Sequence, residues 1–202
     1  MHVFFIFIFA LSTAFFHTDL EETIEFDIMR GKKVVGELVA KKITRGNKTV
    51  YTSYTEASIT MIKRVTMVYD FQVTMKNGAL FHADTKVIMN KKLHATSKVR
   101  LEKNRYHFLK NKTKGYKEAY IDYPIDYPAI LLLFDEPKTF NASFSEEEGI
   151  FHDLERVADH VYQKTNPKGK VNEYHYEDAR LSKATLDAGF FQFSVVRKEE
   201  HM

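Results

Sequence analysis

The sequence predicts an all-β protein with minor α content, folded as a single long, curled antiparallel sheet or half-barrel of meander topology. Apolar residues recur at every second position over most of the chain, as expected of strands with one buried face. Short turns rich in Gly and Asn separate these stretches. Several stretches run to about ten residues or more, a length that favours a curled sheet over a flat one.

The composition is that of one globular domain. The chain has 202 residues, of which 44% are hydrophobic and 28% charged, and its 4 Pro and 8 Gly leave little material for linkers. A chain of this length can bury a sizeable core. We therefore predict a single curled antiparallel β domain over residues 15–202.

An apolar run at the N terminus predicts export. Val3 to Ala10 is apolar and precedes small residues at Ser12 and Ala14, which suit the positions that signal peptidase reads. The run is too short to span a bilayer comfortably. We expect residues 1–14 to be a cleaved signal peptide and the mature protein to be periplasmic or extracellular, not an integral membrane protein. An N-terminal strand or an uncleaved anchor is the alternative.

The clearest strand prediction covers Arg64 to Lys76, where an apolar face alternates with a polar one. Asn77-Gly78 follows, which is the strongest short hairpin signal, and Ala79 to Met89 returns. Roughly ten to twelve strands in one meander must close or be covered to hide their edges. Further strands are predicted at 24–28, 34–43, 50–61, 93–102, 106–109, 161–162, 171–176, 181–186 and 190–196.

One apolar segment interrupts the alternation. Ile121-Asp122-Tyr123-Pro124 is repeated at once as Ile125-Asp126-Tyr127-Pro128, and the apolar run Ala129 to Phe134 follows. Pro128 suits the first turn of a helix. We predict a short helical plug near 129–134 that covers the concave face of the sheet, with a buried strand as the alternative.

Several short motifs occur in order along the chain: Val34-Val35-Gly36-Glu37-Leu38, Phe134-Asp135-Glu136-Pro137, Ser145-Glu146 with Gly149, Asp159-His160-Val161-Tyr162, Pro167-Lys168-Gly169, Asn172-Glu173-Tyr174-His175-Tyr176 and Gly189-Phe190-Phe191-Gln192-Phe193. In this order they resemble an uncharacterised family of exported bacterial proteins, a domain of unknown function common in the Bacteroidetes. The resemblance covers roughly residues 24–198. The Asn-Gly that usually precedes the penultimate strand is replaced here by Asp178-Ala179.

The resemblance implies an exported β fold and carries no assigned activity. The layout is also similar to the half-barrel carriers that ferry lipoproteins or lipids across the periplasm. That similarity concerns the fold alone, and a fold does not by itself define a function.

The sequence argues against most catalytic chemistries. Cysteine is absent, which excludes disulfides, thiol catalysis and cysteine-ligated metals. No nucleophile elbow or phosphate loop is present. The carboxylates that could serve acid–base hydrolysis show no fixed pair, and they are Asp122, Asp126, Glu136, Glu146, Glu147 and Glu148. We expect no catalytic residues and no enzyme, with an uncharacterised hydrolase as the alternative.

Nine histidines raise the question of a metal site. The best candidates are His152 beside Asp153 and His160 beside Asp159, with His175 as a third ligand if the last strands pair suitably. None of them lies in a recognised ligand spacing, and a zinc site needs three or four converging ligands. We expect no metal and no cofactor, and we interpret His160 as a strand residue hydrogen-bonded to a neighbour.

A basic block lies in the middle of the chain. Between Lys86 and Lys117 there are 11 Lys/Arg and one acidic residue, Glu102. Lys98 and Arg100 share one face of their predicted strand, which could attract anionic lipid headgroups or acidic polysaccharide. The alternative is a solvated sheet face whose lysines protect an edge. An exported protein is a poor candidate for binding nucleic acid, and we expect none.

Two hypotheses of function follow. In the first, the chain is a non-enzymatic protein that binds a hydrophobic or lipid-like ligand in the curled sheet. The apolar contacts would come from Met67, Tyr69, Phe71 and Val73 of the sheet and from Ile130, Leu133 and Phe134 of the plug, while Lys98 and Arg100 would hold a headgroup. In the second, it is a structural or interaction protein of the cell envelope. It would then bind an envelope protein or an anionic glycan through its basic face or a sheet edge.

Overall fold

The computed structural model describes residues 20–60, 64–187 and 192–199, so the predicted signal peptide lies outside the described residues. These residues form one antiparallel sheet of 14 strands, which confirms the predicted fold class and exceeds the ten to twelve strands expected. The strands are β1 (Leu20–Arg30), β2 (Lys33–Arg45), β3 (Lys48–Thr60), β4 (Arg64–Lys76), β5 (Ala79–Met89), β6 (Lys92–Glu102), β7 (Arg105–Lys112), β8 (Tyr116–Ile121), β9 (Ala142–Ser145), β10 (Ile150–Ala158), β11 (Val161–Thr165), β12 (Val171–Glu177), β13 (Arg180–Asp187) and β14 (Gln192–Arg197).

The strand order places the two ends of the described chain side by side. From one edge to the other the sheet runs from β8 back to β1, then from β14 back to β9. The chain therefore runs outward from β1 to β8, crosses to the opposite edge through residues 122–141, and returns from β9 to β14. Phe26 of β1 lies opposite Arg197 of β14. Among the described strands the sheet keeps two edges and does not close into a barrel.

Tight turns with positive φ angles connect the strands. Asn77 and Gly78 have φ values of 53° and 80° between β4 and β5, as a two-residue hairpin requires. The turn between β12 and β13 adopts the same geometry with Asp178 and Ala179, at φ values of 50° and 61°. The altered sequence at this position therefore retains the turn, and Ala179 carries the strain that glycine avoids.

Gly36 is required by the close approach of β2 and β3. A Cβ at this position would lie 2.2 Å from the backbone oxygen of Glu56 and 2.6 Å from the Cα of Ala57. The pairing of β1 with β2 also shifts register next to Gly36, between Ile28 and Met29. Gly36 therefore allows the backbones to meet where the sheet bends.

The crossing segment carries the predicted plug across the concave face. The plug is a 3-10 helix at Ala129–Leu133, with Phe134 as its C-terminal cap residue. It contacts β3, β9 and β13, which belong to both halves of the sheet. Its buried side chains join one core, in which Phe26, Phe108 and Phe144 are 0% exposed.

The sheet curls until its two halves meet. The turn between β9 and β10, residues 146–149, contacts the strands of the opposite edge. Ser97 Oγ of β6 donates to the Glu146 carbonyl at 2.7 Å, and Lys117 Nζ of β8 donates to the Glu148 carbonyl at 2.8 Å. These bonds hold the two halves around a shared interior.

Candidate functional site

An apolar groove lies between the plug and the concave face of the sheet. Its volume is about 430 Å³, which is within the range of about 300–1,000 Å³ for small-molecule sites. Most of its wall is apolar. The residues that line it are Ile28, Leu38, Ser53, Thr55, Ala57, Met67, Tyr69, Phe71, Ala129, Ile130, Leu132, Leu133, Ser145, Glu146, Glu147, Lys164, Asn172, Tyr174, Ala184, Leu186, Asp187, Phe193 and Val195.

The apolar residues predicted to bind a ligand divide into two groups. Five of them line the groove: Met67, Tyr69, Phe71, Ile130 and Leu133. Val73 is 0% exposed in the core, and Phe134 is 2% exposed. The ring of Phe134 packs edge-on against Tyr51, with centroids 5.2 Å apart. These two residues therefore support the wall from behind.

The two basic residues predicted to hold a headgroup lie on the outer face of β6. Lys98 is exposed, and Arg100 Nη2 donates to both carboxylate oxygens of Asp84 at 2.8 Å. Neighbouring Ser97 and Val99 are buried, as alternation requires. Neither Lys98 nor Arg100 lines the groove. Their role in binding a ligand stays a prediction.

The C-terminal end of the plug is held in place by two tyrosines and an ion pair. Tyr176 Oη donates to the Leu132 carbonyl at 2.9 Å, and Tyr127 Oη donates to the Asp135 carbonyl at 2.7 Å. Burial, followed by neighbouring charges and hydroxyls, raises the pKa of both phenols, so they stay neutral and can donate. Lys42 Nζ forms an ion pair with Asp135 at 3.2 Å. The plug is therefore a fixed wall of the groove.

Glu146 binds the N-terminal end of the plug from inside the protein. Its Oε1 accepts a hydrogen bond from the Ile130 N–H at 2.9 Å, and the residue is 2% exposed. Burial raises the pKa of this carboxyl, against hydrogen bonds from backbone N–H groups and the charge of Lys164. The neutral form is favoured because a buried charge is costly.

Lys164 brings a positive charge to the groove, and our sequence reasoning did not find it. It lies on β11 two positions after Tyr162, which is 2% exposed, and so points to the same concave side. Its Nζ lies 5.9 Å from the ring centroid of Tyr174. It makes no hydrogen bond or ion pair with the residues that the structure describes. A lysine on the buried face of a strand is the sequence signal that could have identified it.

The other charges of the groove have partners. Glu147 Oε1 accepts a hydrogen bond from Lys110 Nζ at 2.9 Å, and the Lys110 side chain is only 8% exposed. Asp187, at the end of β13, is also engaged, and its N–H donates to Asn172 Oδ1 at 2.9 Å. Lys164 is therefore the groove cation that remains available to a ligand.

A second polar cluster surrounds Glu136, outside the groove. The Glu136 side chain is 2% exposed, and its Oε1 accepts from Tyr162 Oη at 2.9 Å and pairs with His160 Nδ1 at 3.0 Å. Burial acts to raise the pKa of Glu136, but these hydrogen bonds and the charges of His160 and Lys138 outweigh it and lower the pKa. The cluster thus fixes the end of the plug segment to β11.

The histidines of the metal hypothesis do not converge. His152 Nε2 lies 2.8 Å from Glu148 Oε2, and His175 Nε2 lies 2.7 Å from Glu173 Oε1. His160 pairs with Glu136, but the prediction that it is a strand residue is wrong, because it lies in the turn between β10 and β11 with a φ of 56°. In the described ranges, no three His, Asp or Glu side chains are placed to share a metal ion. Of the carboxylates named for hydrolysis, Asp122 pairs with Arg105, Glu147 with Lys110 and Glu148 with His152.

The motifs found in the sequence, from Gly36 to Tyr176, lie on the curled open sheet and on the segment that carries the plug. The chain belongs to the family described as Domain of unknown function (DUF6134), whose model matches residues 26–198. No curated protein and no solved structure matches the chain. Among the described residues, no helix has the length and apolar character needed to cross a bilayer.

Proposed function

We propose that this protein is a non-enzymatic binding protein whose apolar groove holds the hydrocarbon chain of an amphiphile. The observation that supports this most is the groove itself, about 430 Å³ in volume and walled by Met67, Tyr69, Phe71 and Leu133. The hydrogen bonds that hold the plug favour a ligand that lies beside the plug over one that replaces it.

The binding energy in this proposal comes from removing hydrocarbon from water. Each methylene buried in such a site contributes about 0.8 kcal/mol, which corresponds to about a three- to fourfold gain in affinity. We therefore expect the dissociation constants of octanoic, decanoic and dodecanoic acid to fall steeply along the series. Displacement of N-phenylnaphthylamine from delipidated protein measures this, and the chain has no Trp to add fluorescence of its own.

A matched pair of variants tests whether the groove is the site. Leu133 is half-buried at the groove wall, and Leu101 is 39% exposed on β6 outside it. Leu133→Asp places a charge in the groove and should weaken dodecanoic acid at least about tenfold. Leu101→Asp should leave the affinity unchanged. No uptake by the wild-type protein, or equal losses in both variants, would remove the proposal.

A second candidate function is binding of an anionic polysaccharide through the basic outer face. Lys86, Lys92, Lys98 and Lys112 are exposed on β5 to β7 and form no side-chain ion pair with the described residues. Such a face binds polyanions through screened charge, so binding should weaken as salt rises.

Charge reversal on a heparin column tests this second candidate. The double variant Lys86→Glu/Lys98→Glu should elute at clearly lower salt than the wild type. Lys170→Glu/Lys183→Glu changes the net charge equally at exposed positions in the acidic C-terminal half and should elute close to the wild type. If both double variants elute at equally reduced salt concentrations, binding depends on net charge alone, and the proposal of a defined polysaccharide-binding surface is wrong.

A further inference from the structure

We propose that Lys164 is the headgroup site of the groove, and that the preferred ligand is a single-chain amphiphile with an anionic headgroup, a carboxylate or a phosphate. This inference rests on the proposed function and names its ligand class. It moves the headgroup from Lys98 and Arg100 on the outer face to a lysine on the inner one.

The position of Lys164 suits a headgroup. In the register of the sheet it lies opposite Leu154 on one side and Asn172 on the other, next to the end of β11 at Thr165. Lys164, Asn172 and Tyr174 all line the groove, so an anion whose chain follows the apolar wall can reach the ammonium. The Nζ lies over the Tyr174 ring, 5.9 Å from its centroid.

No carboxylate among the described residues forms an ion pair or hydrogen bond with Lys164. Glu147 is committed to Lys110, and Asp187 is engaged in contacts of its own. Glu146 is buried and accepts the Ile130 N–H, and it forms no ion pair with Lys164. A half-buried ammonium with no acceptor among the described residues is costly. An anionic ligand would supply the missing acceptor.

A cationic or neutral amphiphile fits the same groove less well. A cation would have to lie beside Lys164 and take a carboxylate from its present partner. A neutral alcohol would gain the apolar contacts and leave the ammonium without a counter-charge. Because a hydrogen bond between charged groups contributes about 1.5–3 kcal/mol, we expect the anion to be preferred by about ten- to a hundredfold.

The test compares three ligands of equal chain length: dodecanoic acid, dodecanol and dodecylamine. The inference expects the acid to displace N-phenylnaphthylamine about ten- to a hundredfold more effectively than the alcohol, with the amine weakest. If none of the three displaces the dye, the proposed function itself fails. If all three bind equally, the groove remains a binding site and only the headgroup inference fails. Preference for the amine would also overturn it.

Three variants locate the charge. Lys164→Met keeps the apolar stem and should weaken dodecanoic acid about tenfold or more while leaving dodecanol unchanged. Lys164→Arg should retain the preference for the acid, because the charge is kept. Lys98→Met removes an exposed lysine outside the groove and should have no effect. If Lys98→Met reproduces the loss seen in Lys164→Met, the headgroup is not held in the groove. Dodecyl phosphate and dodecanoic acid distinguish the two headgroups. If dodecyl phosphate binds more tightly, phosphate is the preferred headgroup, and if dodecanoic acid binds more tightly, carboxylate is preferred.

Discussion

Glu146 illustrates how one buried acid can make the stability of this protein depend on pH. Its pKa in the folded state is raised by burial above the ordinary value of 4.5, so the folded protein binds the proton more tightly than the unfolded chain. Its contribution is therefore most favourable below about pH 4.5, and stability is lost as pH rises through the folded pKa. The carboxyl nevertheless has a positive role, because it accepts the Ile130 N–H.

We predict that Glu146→Gln is more stable than the wild type at neutral pH, since it keeps an acceptor oxygen and cannot ionise. The advantage should shrink as pH falls towards 4.5. Glu146→Ala should instead cost about 1–3 kcal/mol, because a buried N–H loses its partner. Urea unfolding between pH 4 and pH 8 measures both. The pKa of Glu136 is lowered in the folded state, so Glu136 stabilises the protein at higher pH and this contribution is lost as pH falls through its folded pKa. Because the wild type and both variants share Glu136, its effect cancels when their stabilities are compared. A Gln variant that parallels the wild type at every pH would contradict the prediction.

The sequence was informative about individual residues where alternation alone decides their side of the sheet. Met67, Tyr69 and Phe71 were selected on that basis and do line the groove. Lys98 was selected because many Lys and Arg residues lie near it in the sequence. The number of nearby basic residues does not indicate which of them lie on the concave face of the sheet. Lys164 was missed because its strand had been predicted only as far as Tyr162, so its place on the inner face was not considered.

At the scale of the element, the turn between β9 and β10 is the contact that joins the two edges of the sheet. Gly149 has a φ of +66°, and a Cβ there would lie 2.4 Å from the ring of Phe108. Phe108 is itself 0% exposed and cannot move aside freely. The turn can therefore pack on β7 only with glycine at this position.

We predict that Gly149→Ala destabilises the protein by about 2–4 kcal/mol, from backbone strain together with overpacking. Gly115→Ala provides the control, because Gly115 has a φ of +83° with nothing within 4 Å of its Cβ position. It should cost only the strain, about 1–2 kcal/mol. Chemical denaturation gives both values, and equal costs would show that the contact with Phe108 is unimportant.

Strands with clear apolar alternation and their hairpins were predictable, while strands without it were not. The strand from Arg64 to Lys76 and its Asn77-Gly78 turn were predicted at the bounds observed. The plug was predicted as a helical turn and is a 3-10 helix. Strands β8, β9 and β10 were not predicted, because β9 has only four residues, no residue of β8 is buried, and the buried face of β10 includes His152, so apolar alternation is weak in all three.

At the scale of the whole molecule, β14 connects the two halves of the single sheet. It pairs with β1 on one side and with β13 on the other, so it joins the meander of β1–β8 to that of β9–β13. This arrangement could not be predicted from alternation, because pairing between strands far apart in sequence leaves no local signature.

We predict that a chain ending at Asp187, which lacks β14, loses cooperative unfolding and self-associates. Its removal exposes the edges of β1 and β13, and unpaired edges are sites of intermolecular pairing. A chain ending at Glu199 keeps all of β14 and should behave as the full-length protein. Thermal unfolding by circular dichroism and size-exclusion chromatography distinguish the two. A monomeric, cooperative chain ending at Asp187 would contradict the role assigned to β14.

The adjacency of β1 and β14 also sets an order in time. Strand β1 is synthesised first and β14 near the end, so β1 cannot pair with β14 until almost the whole chain has been made. Hairpins from β1 to β8 can form early because their partners are local, whereas the final pairing closes a loop spanning most of the chain. During that wait the outer edge of β1 has no native partner. An unpaired edge is a site of intermolecular pairing, so this is where the incomplete fold is exposed to association.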